Sequence, residues 1–256
     1  GRRQLAAREL DDAVEAPRMV APANVPRWSK KELLQNEKLA LGYYRSDHLF
    51  NVYRDEVRRM VAKKLGDLQT AGDLAGRNVT VAGVVLSVRV QNTANGRMGI
   101  VTLADDSGKH EVVVYREAFD RFRHKLREDE LLLIEVRGRQ RYRSAESEGE
   151  NGNGGGDNTL RLEAMNIMDL NEARNRYARG IRLTCNGQSS GSKLKELLGP
   201  HRQGPCPVAI DYMSNGARCE VKLGAAWQVN INEDLLRSLA EWLKPENVTI
   251  DYGNSV

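Results

Sequence analysis

Four arginines stand out by their spacing: Arg137, Arg139, Arg141 and Arg143 alternate with Val136, Gly138, Gln140 and Tyr142. In an extended strand a period of two sets such residues on one face at intervals of about 6.6 Å. A row of guanidinium groups at that interval is suited to following a phosphate backbone. Other candidates for chemistry carry less. Asp105 and Asp106 form an adjacent carboxylate pair of the kind that holds Mg²⁺ in two-metal catalysis. They stand just before Ser107 and Gly108, however, where aspartate serves turn hydrogen bonds, and no third carboxylate is placed to join them. We read them as turn residues. His48, His110, His124 and His201 have neither ligand nor triad spacing and read as structural or surface side chains. Cys185, Cys206 and Cys219 are odd in number and hold no Cys-x-x-Cys pair, which argues against a disulfide framework and a zinc site. The glycines from Gly152 to Gly156 lack the lysine and following helix of a phosphate loop. No catalytic residue and no metal ligand is assigned, and recognition of a polyanion is the chemistry that remains.

The arginine row needs a frame, and the stretch from Asn78 to Leu170 supplies one. Val79 to Val90 is a long β-branched run with Gly83 placed where a strand can bend sharply. Asn95-Gly96 is a tight-hairpin signal, Met98 to Ala104 follows as a second strand, and Asp105 to Gly108 turns into a third at His110 to Tyr115. From Glu117 to Leu126 the period changes, and Ala118, Phe119, Phe122 and Leu126 share a helical face. Glu130 to Tyr142, which carries the arginines, and Leu160 to Leu170 complete five strands with one helix after the third. That order is the OB-fold, a five-stranded Greek-key barrel that commonly receives oligonucleotides on one face. Arg89 and Arg97 lie by the first hairpin, a loop that OB-folds use, and Tyr142, Tyr115 and Phe119 are the aromatics available to stack a base. A solvated outer face is the competing reading of the arginines, and core packing that of the aromatics.

The flanks read more simply. Pro17, Pro22 and Pro26 make residues 1–27 an extended, disordered linker. Residues 28–77 read as a helical segment. Ser29 and Glu32 have capping-box spacing, with Leu33, Leu34, Leu41 and Tyr44 as an apolar stripe. A second helix follows Asp47 and buries Leu49, Phe50, Tyr53, Val57, Met60 and Val61, while Arg54, Arg58, Arg59, Lys63 and Lys64 form a solvated face. Residues 144–158 have no apolar side chain larger than alanine and read as a floppy insertion between the last two strands. From 171 to 256 a short helix leads into strands at Ile181–Cys185, Pro207–Tyr212, Ala217–Leu223 and Val248–Tyr252. Helices at Lys193–Leu198 and Glu233–Leu243 make this a small α+β domain. The fold class is therefore mixed α and β: a helical lead-in, a five-stranded OB barrel over 78–170 and an α+β domain over 171–256.

Length and charge fit this division. At 256 residues the chain can hold two small cores, and a net charge of +4 is compatible with a polyanion without demanding one. No apolar run reaches the ~20 residues of a membrane span and no signal peptide is read, so the expected setting is the cytoplasm, without a membrane partner.

Several segments then resemble one family in the right order. Glu37 to His48, Gly99 to Gly108, Glu172 to Gly180 and Leu223 to Val229 resemble the C-terminal part of the alpha subunit of bacterial DNA polymerase III, the DnaE-type replicative polymerase. Asp47 and Leu49 depart from the glycine and proline usual in the first segment. The resemblance spans roughly Trp28 to Tyr252. It implies that the barrel contacts single-stranded template DNA and that the last domain holds the tau subunit of the clamp loader. The sliding clamp is a further partner of the family, but Gln4 to Arg8 stands where its peptide belongs and lacks the aromatic residue, so the motif is not intact. The family is a DNA-directed DNA polymerase whose Mg²⁺ belongs to a catalytic palm absent from this chain, and no cofactor is expected here. The reading is a noncatalytic C-terminal portion of a replicative polymerase. An RNA- or tRNA-binding OB protein and a purely scaffolding module are the alternatives.

Overall fold

The computed structural model describes residues 28, 30–42, 44, 47–69, 77–94, 96–140, 160–186, 189–214 and 216–253. The linker expected over 1–27 and the insertion expected over 144–158 lie outside them.

The chain enters through helix α1 (Lys30–Leu41), a 3₁₀ turn at Leu49–Val52 and helix α2 (Arg54–Met60). The turn starts where the His48 ring accepts the Phe50 amide through Nδ1 at 3.2 Å, which gives this histidine a capping role. The apolar stripe expected on α1 is not a buried one. Leu34 is fully buried against the cluster of Leu49 and Phe50, but Leu33 and Leu41 are exposed. The 3₁₀ turn is the main neighbour of α1, so one buried position is enough to seat it. Arg58 also departs from the solvated face expected for it. Its guanidinium pairs with Asp105 and Asp106 and lies over the Phe50 ring, which ties α2 to the hairpin between the second and third strands.

Five strands, β1 (Asn78–Thr93), β2 (Gly96–Ala104), β3 (Lys109–Val114), β4 (Leu131–Gln140) and β5 (Leu160–Asp169), close into a barrel of order β1-β2-β3-β5-β4. Closure comes from β1, whose first half pairs with β4 and whose second half pairs with β2, and from the parallel β3–β5 contact. The switch of partner falls at Val84, beside Gly83, where a Cβ would stand 3.0 Å from the Ala104 carbonyl oxygen. Alternation then sorts the side chains. Val81, Val85, Val101, Leu103, Val112 and Ile134 point into the barrel with Leu162 and Ile167. Helix α3 (Arg116–Phe122) plugs this core with Phe119 and Phe122. On the outer side Ala82, Val84, Leu131 and Leu133 are buried under the lead-in.

Helix α4 (Leu170–Tyr177) leaves the barrel through a capping box, with Asp169 accepting from the Glu172 amide and Glu172 accepting from the Asp169 amide. Beyond it β6 (Gly180–Asn186), helix α5 (Gly191–Leu198), β7 (Arg202–Cys206), β8 (Val208–Ser214), β9 (Ala217–Lys222), helix α6 (Glu233–Leu243) and β10 (Val248–Asp251) form the second unit. Its sheet runs β10-β6-β8-β9, and α5 and α6 bury Leu194, Leu198, Leu235 and Leu239 against Ile181, Leu183 and Val208. The short β7 was not anticipated. Gly204 and Pro205 mask it in the sequence, and its bridges are isolated ones to Val229.

Arg174 joins the pieces. It is 5% exposed, grips Glu56 of α2 through Nε and Nη2, each at 2.8 Å, and donates from Nη1 to Glu233 of α6 at 2.9 Å. The Tyr252 hydroxyl donates to the same Glu56 at 2.6 Å. Burial alone would raise the Glu56 carboxyl, but the Arg174 hydrogen bonds and charge, with the Tyr252 hydroxyl, hold it below its ordinary range. The next residue, Asn175, accepts from the Ile231 amide at 2.8 Å and donates to its carbonyl at 3.0 Å.

Candidate nucleic-acid interface

The β4–β5 ladder carries Arg137 and Arg161. Glu135 and Arg137 alternate with the buried Ile134 and Val136, and on β5 the half-buried Arg161 and Glu163 alternate with the buried Leu162 and Ala164. Register sets Arg137 opposite Glu163 and Arg139 opposite Arg161. Arg137 is held by donation from Nε to Asn78 Oδ1 at 3.1 Å. Among the described residues Arg161 has no hydrogen-bond or ion-pair partner. Arg141, Tyr142 and Arg143 lie outside the described residues.

The remaining candidates separate into two groups. Arg89 and Arg97 sit at the far end of β1 and its hairpin to β2, away from Arg137, which pairs with the first residue of β1. Arg89 forms an exposed ion pair with Glu111, and Arg97 is exposed opposite Asn92. An exposed pair of this kind contributes about 0–1 kcal/mol and leaves the arginine available to another anion. Phe119 is buried in the barrel core and cannot stack a base, whereas Tyr115 is half-buried just before α3. The residue that sequence reasoning missed is Arg161. Its signal was present, since Arg161, Glu163 and Met165 alternate with Leu162 and Ala164, but only register sets it against Arg139.

Asp105 and Asp106 do not fit a metal pair. One Asp105 oxygen accepts from the Ser107 amide, the Ser107 hydroxyl and the Gly108 amide at 2.7, 2.6 and 3.0 Å. The other accepts from the Leu65 amide and from Arg58, both at 3.0 Å. Burial would raise this carboxyl, but the Ser107 hydroxyl, the two backbone amides and Arg58 hold it below its ordinary range. Both oxygens are thus committed to internal donors, and the turn reading of this pair stands.

Two family models match within the chain: the OB-fold nucleic acid binding domain over residues 79–164, and the DNA polymerase III subunit alpha, C-terminal domain over residues 193–243. The closed barrel and the match over residues 79–164 thus define an OB-fold nucleic acid binding domain, joined to a second, mixed unit. Over nearly its whole length the chain is similar to DNA polymerase III alpha subunits: 32% identical over 237 residues to that of Pasteurella multocida, covering 91% of this chain and 19% of the relative. It is 34% identical over 227 residues to that of Pseudomonas aeruginosa, covering 87% of this chain and 18% of the relative. The chain matches the C-terminal region of the DNA polymerase III alpha subunit family and spans about a fifth of the length of those relatives. Among solved structures, a mitochondrial single-stranded DNA binding protein of S. cerevisiae overlays 37% of this chain and 96% of its own, at 16% identity and a TM-score of 0.29. No helix among the described residues is long and apolar enough to cross a membrane.

Proposed function

We propose that this region of the polymerase alpha subunit binds single-stranded DNA along the β4–β5 ladder and holds the tau subunit of the clamp loader through its last unit. The observation that carries the first part is that Arg137 and Arg161 share the outer face of the β4–β5 ladder at one end of a closed OB barrel, Arg137 opposite Glu163 and Arg161 two residues along from it. Each phosphate contact on a single strand contributes about 0.7 to the slope of log affinity against log salt. The test is a titration of the full chain with single-stranded DNA, duplex DNA and tRNA at several salt concentrations. Replacing Arg137 and Arg161 with Ala should flatten the single-strand slope by about 1.4 and weaken all sequences alike. A folded double variant with the parent's slope would return the row to a solvated face. Preference for tRNA over single-stranded DNA would instead favour the RNA reading, which the tRNA anticodon-binding family of the barrel model raises.

For tau the support is the family resemblance together with an exposed, apolar part of the sheet. Strand β9 is an edge strand exposed along its length, and Tyr212, Met213 and Val221 are the large exposed apolar side chains of β8 and β9. Tau capture by the full chain that survives Tyr212→Ala with Val221→Asp would move the contact elsewhere. Nucleotide transfer and its Mg²⁺ are proposed to reside in the part of the relatives this chain does not cover. The segment considered for the sliding clamp, Gln4 to Arg8, lies outside the described residues, and no clamp contact is proposed.

A further inference from the structure

Where α2, the end of α4 and the end of β10 meet, a cavity of about 120 Å³ opens between Arg58, Arg59, Arg179, Tyr177 and Tyr252. Three arginines surround one small cavity, and the carboxylates of Asp105, Asp106 and Glu56 beside it are engaged by other groups. Asp105 and Asp106 pair with Arg58. Glu56 lies within reach of the Arg59 charge but is gripped at both oxygens by Arg174 and receives the Tyr252 hydroxyl. Arg59 and Arg179 are exposed and make no ion pair or side-chain hydrogen bond among the described residues. The last turn of a helix favours cations, which accounts for arginine in α2 but not for Arg179. Arg179 is also held in place: its amide donates to the Asp251 carbonyl at 2.6 Å, and its guanidinium lies so close over Gly253 that a Cβ there would stand 2.4 Å from Nε.

Tyr177 connects the cavity to the face of β1 on which Asn78 stands opposite Arg137 and Thr80 opposite Glu135, whose carboxylate Arg176 takes. The Tyr177 hydroxyl is 3.4 Å from Thr80 Oγ1, and Thr80 shares the outer face of β1 with Asn78, the residue that holds Arg137. Two residues along a strand advance about 7 Å, so a chain lying on Arg137 reaches the Tyr177 side of the cavity within a few nucleotides. A volume of 120 Å³ is about four waters, room for one phosphate group.

We propose that Arg59 and Arg179 clamp one backbone phosphate of a nucleic-acid strand that has crossed the β4–β5 ladder, with the half-buried Tyr177 as the wall between the two sites. This rests on the single-strand reading given above and extends the path off the barrel onto its junction with the lead-in and the C-terminal unit. The test uses the full chain and oligodeoxythymidylates of two lengths, one just long enough for the barrel and one several nucleotides longer. Arg59→Gln with Arg179→Gln should flatten the salt slope of the long strand by about 1.4 and leave the short strand unchanged. The pair Arg59→Lys with Arg179→Lys should keep the slope while weakening affinity, and it serves as the folded control if the Gln pair melts early. An unchanged long-strand slope in a folded Gln variant overturns the proposal. So does thermal protection by inorganic phosphate that the Gln variant loses while its DNA slope stays that of the parent, since the site would then take free phosphate. The two readings fail separately: loss of slope in the Arg137 and Arg161 variant with none in the Gln pair leaves the barrel site and removes the junction site, and the reverse removes the barrel site alone.

Discussion

Asp105 is a carboxylate with no exposed side-chain surface that organises a turn, a preceding loop and a helix at once. Asp105→Ala would strand the Leu65, Ser107 and Gly108 amides and leave Arg58 with Asp106 alone. The expected cost is about 2–4 kcal/mol, read as a lower urea midpoint at unchanged slope. Asp105→Asn keeps an acceptor but loses the charge, and should fall between parent and Ala. The carboxyl is held below its ordinary value of 3.8, so its contribution is complete above that pH and is lost as pH falls through the lower folded value. Acid unfolding of the Asn variant should therefore be less steep there, and parent-like acid unfolding would show that the charge of Asp105 is not what holds the turn.

Among the elements, β7 has little room for change at Gly204. Gly204 passes so close to the strand-like segment at Val229 that a Cβ would stand 2.0 Å from the Val229 carbonyl carbon, a backbone contact no rotamer can relieve. Gly204→Ala should separate β7 from that segment at a cost of at least about 3 kcal/mol. Trp227, which lies in the 3₁₀ turn just before it and carries Arg202 over its ring, should report the separation as a fluorescence change. An unshifted melt would mean that β7 already adjusts freely. The edge strand β9 is the opposite case: Val221→Lys should change stability by no more than about 0.5 kcal/mol and reduce self-association, because it charges an open sheet edge.

At the scale of the molecule, Arg174 ties the lead-in to the C-terminal unit. Arg174 contacts α2 and α6 at once, and Arg174→Ala leaves Glu56 buried without its cation. The expected loss is about 3 kcal/mol, the low end for a broken buried pair because 23% of the Glu56 side chain is still exposed. Arg174→Lys should recover little of it, since an ammonium cannot make the two parallel bonds. The clearest readout is cooperativity: in the parent, far-ultraviolet dichroism and the fluorescence of Trp227 and Trp242 should unfold together, and in the Ala variant the tryptophan signal should unfold first. Coincident transitions in that variant would show that Arg174 does not couple the units. Glu56 has the same sign of pH dependence as Asp105, so the coupling is complete above about 4.5, its ordinary value, and weakens as pH falls through the depressed folded value.

Periodicity and turn chemistry determined most of the architecture. Period two in β1 to β5, the Asp-Asp-Ser-Gly turn and the α3 face with Phe119 and Phe122 all follow from local rules that the tertiary structure did not override. Apolar residues on α6 likewise predicted its bounds, because a helix that buries Leu235, Leu239 and Leu243 on one side has little freedom in where it lies. The relation between distant segments was a different matter. Arg161 gained its place beside Arg137 from the register of β4 and β5, and the charge on Arg58 was settled by a turn 47 residues away. β7 exists only because Val229 returns beside it. The exposure of Leu33 and Leu41 follows from how little of the molecule α1 meets. Local sequence sets which face of an element is apolar, since that depends on neighbours three or four positions away. Which charges cancel depends on partners that only chain closure brings together, and the gathering of Arg58, Arg59 and Arg179 at the junction of α2, α4 and β10 was therefore decided by the tertiary structure alone.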